Sequence, residues 1–219
     1  AGVIGDLAED FSGVLIDAEY GLPAYKKVFE CKKQLPYLLC MEKSGYREKK
    51  EARYNELQYS ARKLKELGAS GVKLLLYLNP FVQAAPAQIE IGQQALAQAH
   101  EQELPFFLEI VTYETKDKPA NLPDLLFGSL EIFLEKKILP DVFKLEYPGS
   151  LENCQKVTKM LGPTPWILLT RGARFDVFRN QLKGAVAGGA SGFLAGRALW
   201  QEAVNYQGQK QEDFFAGEL

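Results

Sequence analysis

The sequence predicts the α/β class and, within it, a (β/α)8 TIM barrel. Three observations carry that expectation. Short apolar runs alternate with helical stretches along almost the whole chain, the pattern of a parallel sheet with crossover helices. The runs are apolar nearly throughout, as strands covered on both faces are. No glycine-rich phosphate turn follows the first run, where Tyr20-Gly21-Leu22-Pro23 stands instead; the runner-up, an open seven-stranded α/β sheet, would be expected to carry one there. The 219 residues suit one barrel domain spanning 1–219. Seven strand–helix units are legible, so the first strand of the barrel is expected to be missing at the N-terminus.

Residues 1–12 read as a helix end or a loop. Gly13 to Pro23 give a strand that runs through Asp17 and Glu19 into a Gly/Pro turn, and 24–34 look helical. Pro36 to Glu42 form a second strand ending in an acid. Residues 50–67 are predicted as a charged amphipathic helix, with Leu57, Ala61, Leu64 and Leu67 at helical spacing and Gly68 closing it. Gly71 to Leu78 make a third strand with Lys73 near its start. A helix over 86–102 leads to a fourth strand, Pro105 to Glu114, and a helix over about 124–137 follows.

The fifth strand, Asp141 to Pro148, has a lysine in its middle, Lys144. The remaining elements are a helix over 150–161, a sixth strand at 165–172, a helix over 174–187, a seventh strand from Gly192 to Ala198 and a last helix beginning at 199–206. The tail after 207 is polar and carries little signal.

Composition narrows the chemistry. The net charge is −2 with acids and bases mixed along the chain, which suggests neither a nucleic-acid groove nor a polybasic membrane patch. No run is long and apolar enough to cross a bilayer. The cysteines, Cys31, Cys40 and Cys154, show no CxxC spacing and fit reduced thiols, hence a cytoplasmic protein. With His100 as the one histidine, a zinc site or a Ser-His-Asp triad has almost nothing to be built on, so no metal and no cofactor are expected. Chemistry must run on lysine, carboxylates or tyrosine.

Lys144 is the first candidate. Burying an unpaired ammonium is costly, and the amine responds by losing its proton more easily, which is what a nucleophilic amine needs. Strand alternation puts Lys144 and Glu146 on one face, and Asp17 and Glu19 on one face of their own strand. Lys73 and Glu109 also sit inside apolar runs, and Glu42 ends a strand. Taken singly, Lys73 could snorkel from a strand end, Glu109 could be a structural ion-pair partner and Asp17 a turn residue. As a set they point to a site, because several charges inside a barrel are unfavourable unless they pair. Thr170-Arg171-Gly172 and Gly196-Arg197, at the ends of the sixth and seventh strands, would hold an anion by backbone N–H groups and guanidinium.

Several stretches together resemble the class I tagatose 1,6-bisphosphate aldolase family. They are Leu-Ile-Asp17-Ala-Glu19-Tyr-Gly-Leu-Pro-Ala, Glu42-Lys-Ser-Gly-Tyr, Gly-Val-Lys73-Leu-Leu-Leu-Tyr, Phe-Leu-Glu109-Ile-Val-Thr-Tyr, Val-Phe-Lys144-Leu-Glu-Tyr-Pro and Gly-Phe-Leu-Ala-Gly196-Arg197-Ala-Leu-Trp, in collinear order. A sister branch that cleaves 6-deoxy-6-sulfofructose 1-phosphate has a similar pattern. The resemblance implies a metal-independent aldolase acting on a phosphorylated sugar, with Lys144 as the Schiff-base lysine, Lys73 as a second active-site lysine, Glu109 as the acid/base carboxylate and Arg197 as a phosphate ligand. Glu146 and Asp17 would orient Lys73 or relay protons. A non-catalytic sugar-phosphate sensor on the same barrel stays open as another class, and homo-oligomerisation is not legible.

Overall fold

The structure, a computed structural model, describes residues 12–30, 34–116 and 119–216; Cys31 and the segment 1–11 lie outside them. Seven parallel strands form the sheet: β1 (Val14–Ile16), β2 (Tyr37–Cys40), β5 (Gly71–Leu78), β6 (Phe106–Thr112), β7 (Val142–Leu145), β8 (Trp166–Leu169) and β9 (Gly192–Leu194). Their order is β1-β2-β5-β6-β7-β8-β9. Every strand follows its sequence neighbour in the sheet, apart from the hairpin β3 (Arg47–Lys49) and β4 (Ala52–Tyr54), which forms a separate sheet. A doubly wound sheet would reverse its order partway; this one does not, and it has the winding of a barrel. Among the described residues the outer edges of β1 and β9 pair with no other strand.

The helices, the last one apart, pack on the outer face. They are α1 (Gly21–Val28), α2 (Ala61–Glu66), α3 (Ala85–Glu101), α4 (Leu122–Glu135), α5 (Leu151–Leu161), α6 (Phe175–Ala187), α7 (Arg197–Trp200) and α8 (Gln209–Ala216). Side chains turned towards them, among them Leu39, Leu74, Leu108, Ile110, Phe143 and Leu168, are completely buried. Each fully buried apolar side chain of this size stabilises by about 1.5–3 kcal/mol. The other face carries Cys40, Lys73, Leu75, Glu109, Lys144 and Ile167, as the register Cys40↔Lys73, Leu75↔Glu109, Glu109↔Lys144 and Lys144↔Ile167 requires.

Three elements depart from expectation. The helix expected over 50–67 is the hairpin β3–β4, a loop and the short α2. Lys50 and Glu51 take φ of 50° and 61°, a left-handed pair suited to a two-residue hairpin turn. Leu57 joins an isolated bridge to Glu42, so the apolar stripe is divided between two structures. Ser60, accepting from the backbone N–H of Lys63, begins the true helix. Gly68 does close it, at φ +92°, where a Cβ would come within 2.5 Å of the Tyr37 hydroxyl.

The seventh strand stops at Leu194, and Arg197 opens α7. The last helix is broken by a 3-10 turn at Glu202–Asn205, and the polar tail forms α8. Among the described residues no helix is long and apolar enough to cross a membrane.

Candidate active site

The inner face holds a row of charge across three neighbouring strands. Lys73 on β5, Glu109 on β6 and Lys144 on β7 are only 4%, 6% and 6% exposed. Glu109 bridges the two lysines, with Oε1 at 2.9 Å from Lys144 Nζ and Oε2 at 3.3 Å from Lys73 Nζ. The contact with Lys144 follows from the register, which sets Glu109 and Lys144 directly beside each other. Lys73 also donates to Glu42, whose other oxygen accepts from the backbone N–H of Leu75 at 3.1 Å. The row therefore contains two ammonium groups and two carboxylates, shared unequally.

The inequality sets the protonation. Burial pushes the Lys144 amine below its ordinary value, the facing Lys73 adds to that, and Glu109 only partly opposes it. Burial also works against charge on Lys73, but Glu42 and Glu109 outweigh it and hold that ammonium well above its ordinary value. For Glu109, burial favours the neutral acid, and the two lysines overcome it and keep the carboxyl below its usual range. Cys40, paired with Lys73 in register, is a thiol that burial pushes up to about 11.

A second polar group stands at the C-terminal ends of the strands. Glu146, just past β7, accepts from the Thr112 backbone N–H and hydroxyl at 2.8 and 2.7 Å, and its other oxygen lies 2.6 Å from Arg171 Nη1. Arg171 Nη2 donates to the Thr112 carbonyl at 3.1 Å. Burial raises the Glu146 carboxyl above its ordinary value, against the Thr112 hydrogen bonds and the Arg171 charge. Glu146 therefore orients Arg171 rather than Lys73; Glu42 has the position on Lys73 that the sequence reading gave to Glu146 or Asp17.

The remaining expected residues divide. Arg197 folds over Gly172, where an added Cβ would meet its Nη2 at 3.2 Å. Arg171 and Gly172 form a left-handed turn, φ 48° and 71°, that carries Arg171 away towards Glu146. Thr170 is buried at the base of this turn, its carbonyl accepting from Ala173 N–H at 2.9 Å. Gly196 immediately precedes α7.

Asp17 is a turn residue. Its carboxylate accepts from the backbone N–H groups of Glu19, Tyr20 and Gly21 at 3.0, 2.6 and 3.1 Å, ahead of α1. Glu19 is exposed in the same turn, so neither acid joins the lysine row.

Sequence reading did not single out Arg53, which lines a cavity with Thr112 and Arg171, or Thr112 itself. Arg53 was hidden inside a charged run taken for a helix; the signal was the turn-forming Lys50-Glu51 and the extended Ala-Arg-Tyr that follows. Thr112 gives no signal, because its contact with Glu146 joins residues far apart in the chain. Among the described residues no three His, Cys, Asp or Glu side chains gather as a metal-ligand set.

A family model described as DeoC/LacD family aldolase matches residues 7–202. The tagatose 1,6-diphosphate aldolase of Staphylococcus aureus (strain MW2) is 30% identical, the match covering 96% of this chain and 73% of that protein. Among solved structures, an archaeal fructose-1,6-bisphosphate aldolase, with its catalytic Lys covalently bound to the carbinolamine intermediate of the substrate, aligns at a TM-score of 0.70 and 21% identity over 98% of this chain and 80% of that one. A fructose-bisphosphate aldolase from Slackia heliotrinireducens DSM 20476 aligns at 0.65 and 21% identity over 90% of this chain and 71% of that one. At those identities the structural likeness speaks to the fold, and it agrees with the barrel winding of the sheet.

Proposed function

Because this chain belongs to the DeoC/LacD aldolase family, we propose that it cleaves a phosphorylated ketose through a Schiff base on Lys144. The observation that carries this reading is the unequal sharing of Glu109 and Glu42 between two buried lysines. It leaves one amine easy to deprotonate and the other firmly cationic. The substrate we assign is of the tagatose 1,6-bisphosphate type, as in the S. aureus relative.

Neutral Lys144 adds to the ketose carbonyl carbon, forming a C–N bond and a carbinolamine. Loss of water leaves an iminium ion, which acts as an electron sink. Glu109, in hydrogen-bond contact with Lys144, takes up and returns protons in these steps. It or a water it orients then removes the proton from the hydroxyl on the carbon that will become the aldehyde. The carbon–carbon bond breaks, its electron pair passes into an enamine on Lys144, and the aldehyde departs. Protonation of the enamine carbon and hydrolysis of the imine release dihydroxyacetone phosphate and regenerate the amine.

Lys73, kept cationic by Glu42, stabilises the developing alkoxide. Arg197, with the backbone N–H groups at Gly172 and Gly196, takes the phosphate nearest the carbonyl. Arg171 lines the same rim from its anchor on Glu146. The compartment that supplies sugar phosphates and keeps Cys40 and Cys154 reduced is the cytoplasm.

The test is borohydride reduction in the presence of dihydroxyacetone phosphate, followed by intact mass and peptide mapping. A stable adduct on Lys144 is expected. An adduct on Lys73 reverses the lysine assignment. Sugar-phosphate binding with no adduct on either lysine replaces the aldolase mechanism with a non-catalytic binding role.

A further inference from the structure

We propose that Arg53 receives the tetrahedral oxyanion at the end of the ketose remote from its carbonyl, a phosphate ester or a sulfonate. This rests on the Schiff-base reading above and extends it to the far end of the substrate.

The order of groups across the sheet sets the direction. Arg197 follows β9, Gly172 follows β8, and Lys144, Glu109 and Lys73 lie on β7, β6 and β5 in turn. A ketose with its near phosphate at Arg197 and its carbonyl at Lys144 must extend its hydroxyls past Glu109 and Lys73. Neighbouring strands are about 4.8 Å apart, so β5 lies roughly 10 Å from β7, within reach of a six-carbon chain with its terminal oxyanion. The far end therefore emerges over the C-terminal ends of β5 and β6.

Arg53 stands there. Tyr77 is the next-to-last residue of β5, and Tyr113 follows β6 directly. The guanidinium carbon of Arg53 lies 4.4 Å from the Tyr46 ring centroid, 4.5 Å from that of Tyr113 and 5.5 Å from that of Tyr77. A guanidinium held by contact with aromatic rings keeps N–H groups as donors, which suits a pair of hydrogen bonds to an oxyanion. The hairpin is fixed as well as the side chain. Asn55 is buried and accepts from Tyr77 N–H at 2.8 Å and from Gln88 Nε2 at 2.6 Å.

The charge of Arg53 is not already neutralised. Among the described residues it forms no ion pair, its cross-strand neighbour Glu48 included, and its buried Nε has no hydrogen-bond partner. A cavity of about 260 Å³ opens beside it, shared with Tyr113, Thr112, Arg171 and Glu114. Of the charges around that space, Arg171 is held by Glu146, and Glu114, exposed at its edge, makes no ion pair with Arg53 among the described residues. Arg53 is the cation left for a ligand.

The experiment measures kcat/KM for three ketoses: the 1,6-bisphosphate, the 6-sulfo 1-phosphate and the 1-phosphate with a plain hydroxyl at carbon six. The readout is the preference for each doubly anionic ketose over the 1-phosphate. Arg53→Ala is expected to reduce the preference for the natural one about 10- to 100-fold, mainly through KM, and the ketose that shows the reduction identifies phosphate or sulfonate. Arg53→Gln, which keeps most of the stem between the tyrosines, gives the same readout if the alanine variant does not fold. An unchanged preference in a folded variant overturns the proposal and reduces Arg53 to a stacking element of the hairpin, while the aldolase reading stands. Wild-type protein that cleaves none of the three and traps no adduct overturns both.

Discussion

Lys73 and Lys144 sit two strands apart in one buried row and share a carboxylate, yet they are held in opposite directions. On β5, Lys73 has Glu42 and one oxygen of Glu109, and its ammonium is strengthened. On β7, Lys144 has the other oxygen of Glu109 and a cation facing it, and burial prevails. Their surroundings are nearly equal in depth, so depth does not separate them. The number of carboxylates does. A protein needing one reactive amine and one fixed charge can make both from lysine by adding a single glutamate on a neighbouring strand.

The largest expected effect is on turnover. Lys144→Ala should lower kcat by ~10⁴-fold or more, as losses of a covalent nucleophile do, with the folded far-UV spectrum retained. Lys73→Ala should slow cleavage yet still allow the adduct on Lys144. Residual turnover in Lys144→Ala with an adduct on Lys73 would break the comparison outright.

Stability should run the other way. Lys73→Met leaves Glu42 buried without its cation, and breaking such a buried pair costs about 3–5 kcal/mol. Lys144→Met removes an ammonium that the fold disfavours while Glu109 keeps Lys73, so its Tm should equal or exceed wild type. The sign follows from linkage. The folded pKa of Lys144 lies below its unfolded value, so between the two the unfolded chain binds more protons and wild-type stability rises with pH. Any gain from Lys144→Met should therefore shrink towards the ordinary lysine pKa. Equal losses in the two variants, read by thermal melts across that range, would show that the two sites are electrostatically alike.

A smaller effect sharpens the assignment of causes. Glu109 raises the Lys144 pKa and Lys73 lowers it. In Glu109→Gln the acid limb of the borohydride-trapping rate should move to lower pH, although cleavage itself falls by about 10²- to 10⁴-fold with loss of an acid/base group. In Lys73→Ala the same limb should move to higher pH. Shifts of one sign in both variants would mean that burial alone sets the Lys144 amine.

The lysine row was legible in the sequence because a charge inside an apolar run is conspicuous and strand alternation says which face it takes. Lys73, Glu109 and Lys144 needed nothing more. The parallel winding was legible for the same reason, since each long strand is an apolar run bounded by turn residues. The hairpin was not. Glu48 to Glu51 have no period of their own, and Leu57 joined a helical stripe by coincidence of spacing. Partner choice was also hidden: Glu146 shares strand parity with Lys144, yet it sits beyond the strand end, where Thr112 and Arg171 reach it. Asp17 reads as an inward acid only if its strand continues; the strand ends at Ile16, and the carboxylate caps the turn.

The least effect should come from the opposite end of the barrel, where a similar pair has a different setting. His100 Nε2 lies 3.0 Å from Asp141 Oδ2, and the same oxygen accepts from Phe106 N–H at 2.8 Å. These side chains are 51% and 45% exposed, so water already screens what the pair would gain. Exposed pairs contribute about 0–1 kcal/mol, and His100→Ala should change the unfolding free energy by no more than that, with kcat unaltered. A loss as large as that of Lys73→Met would mean that contact distance, rather than burial, makes the lysine row matter. A negligible loss leaves burial as the difference between an ion pair that merely decorates the start of β6 and β7 and a row that holds its two amines in opposite directions.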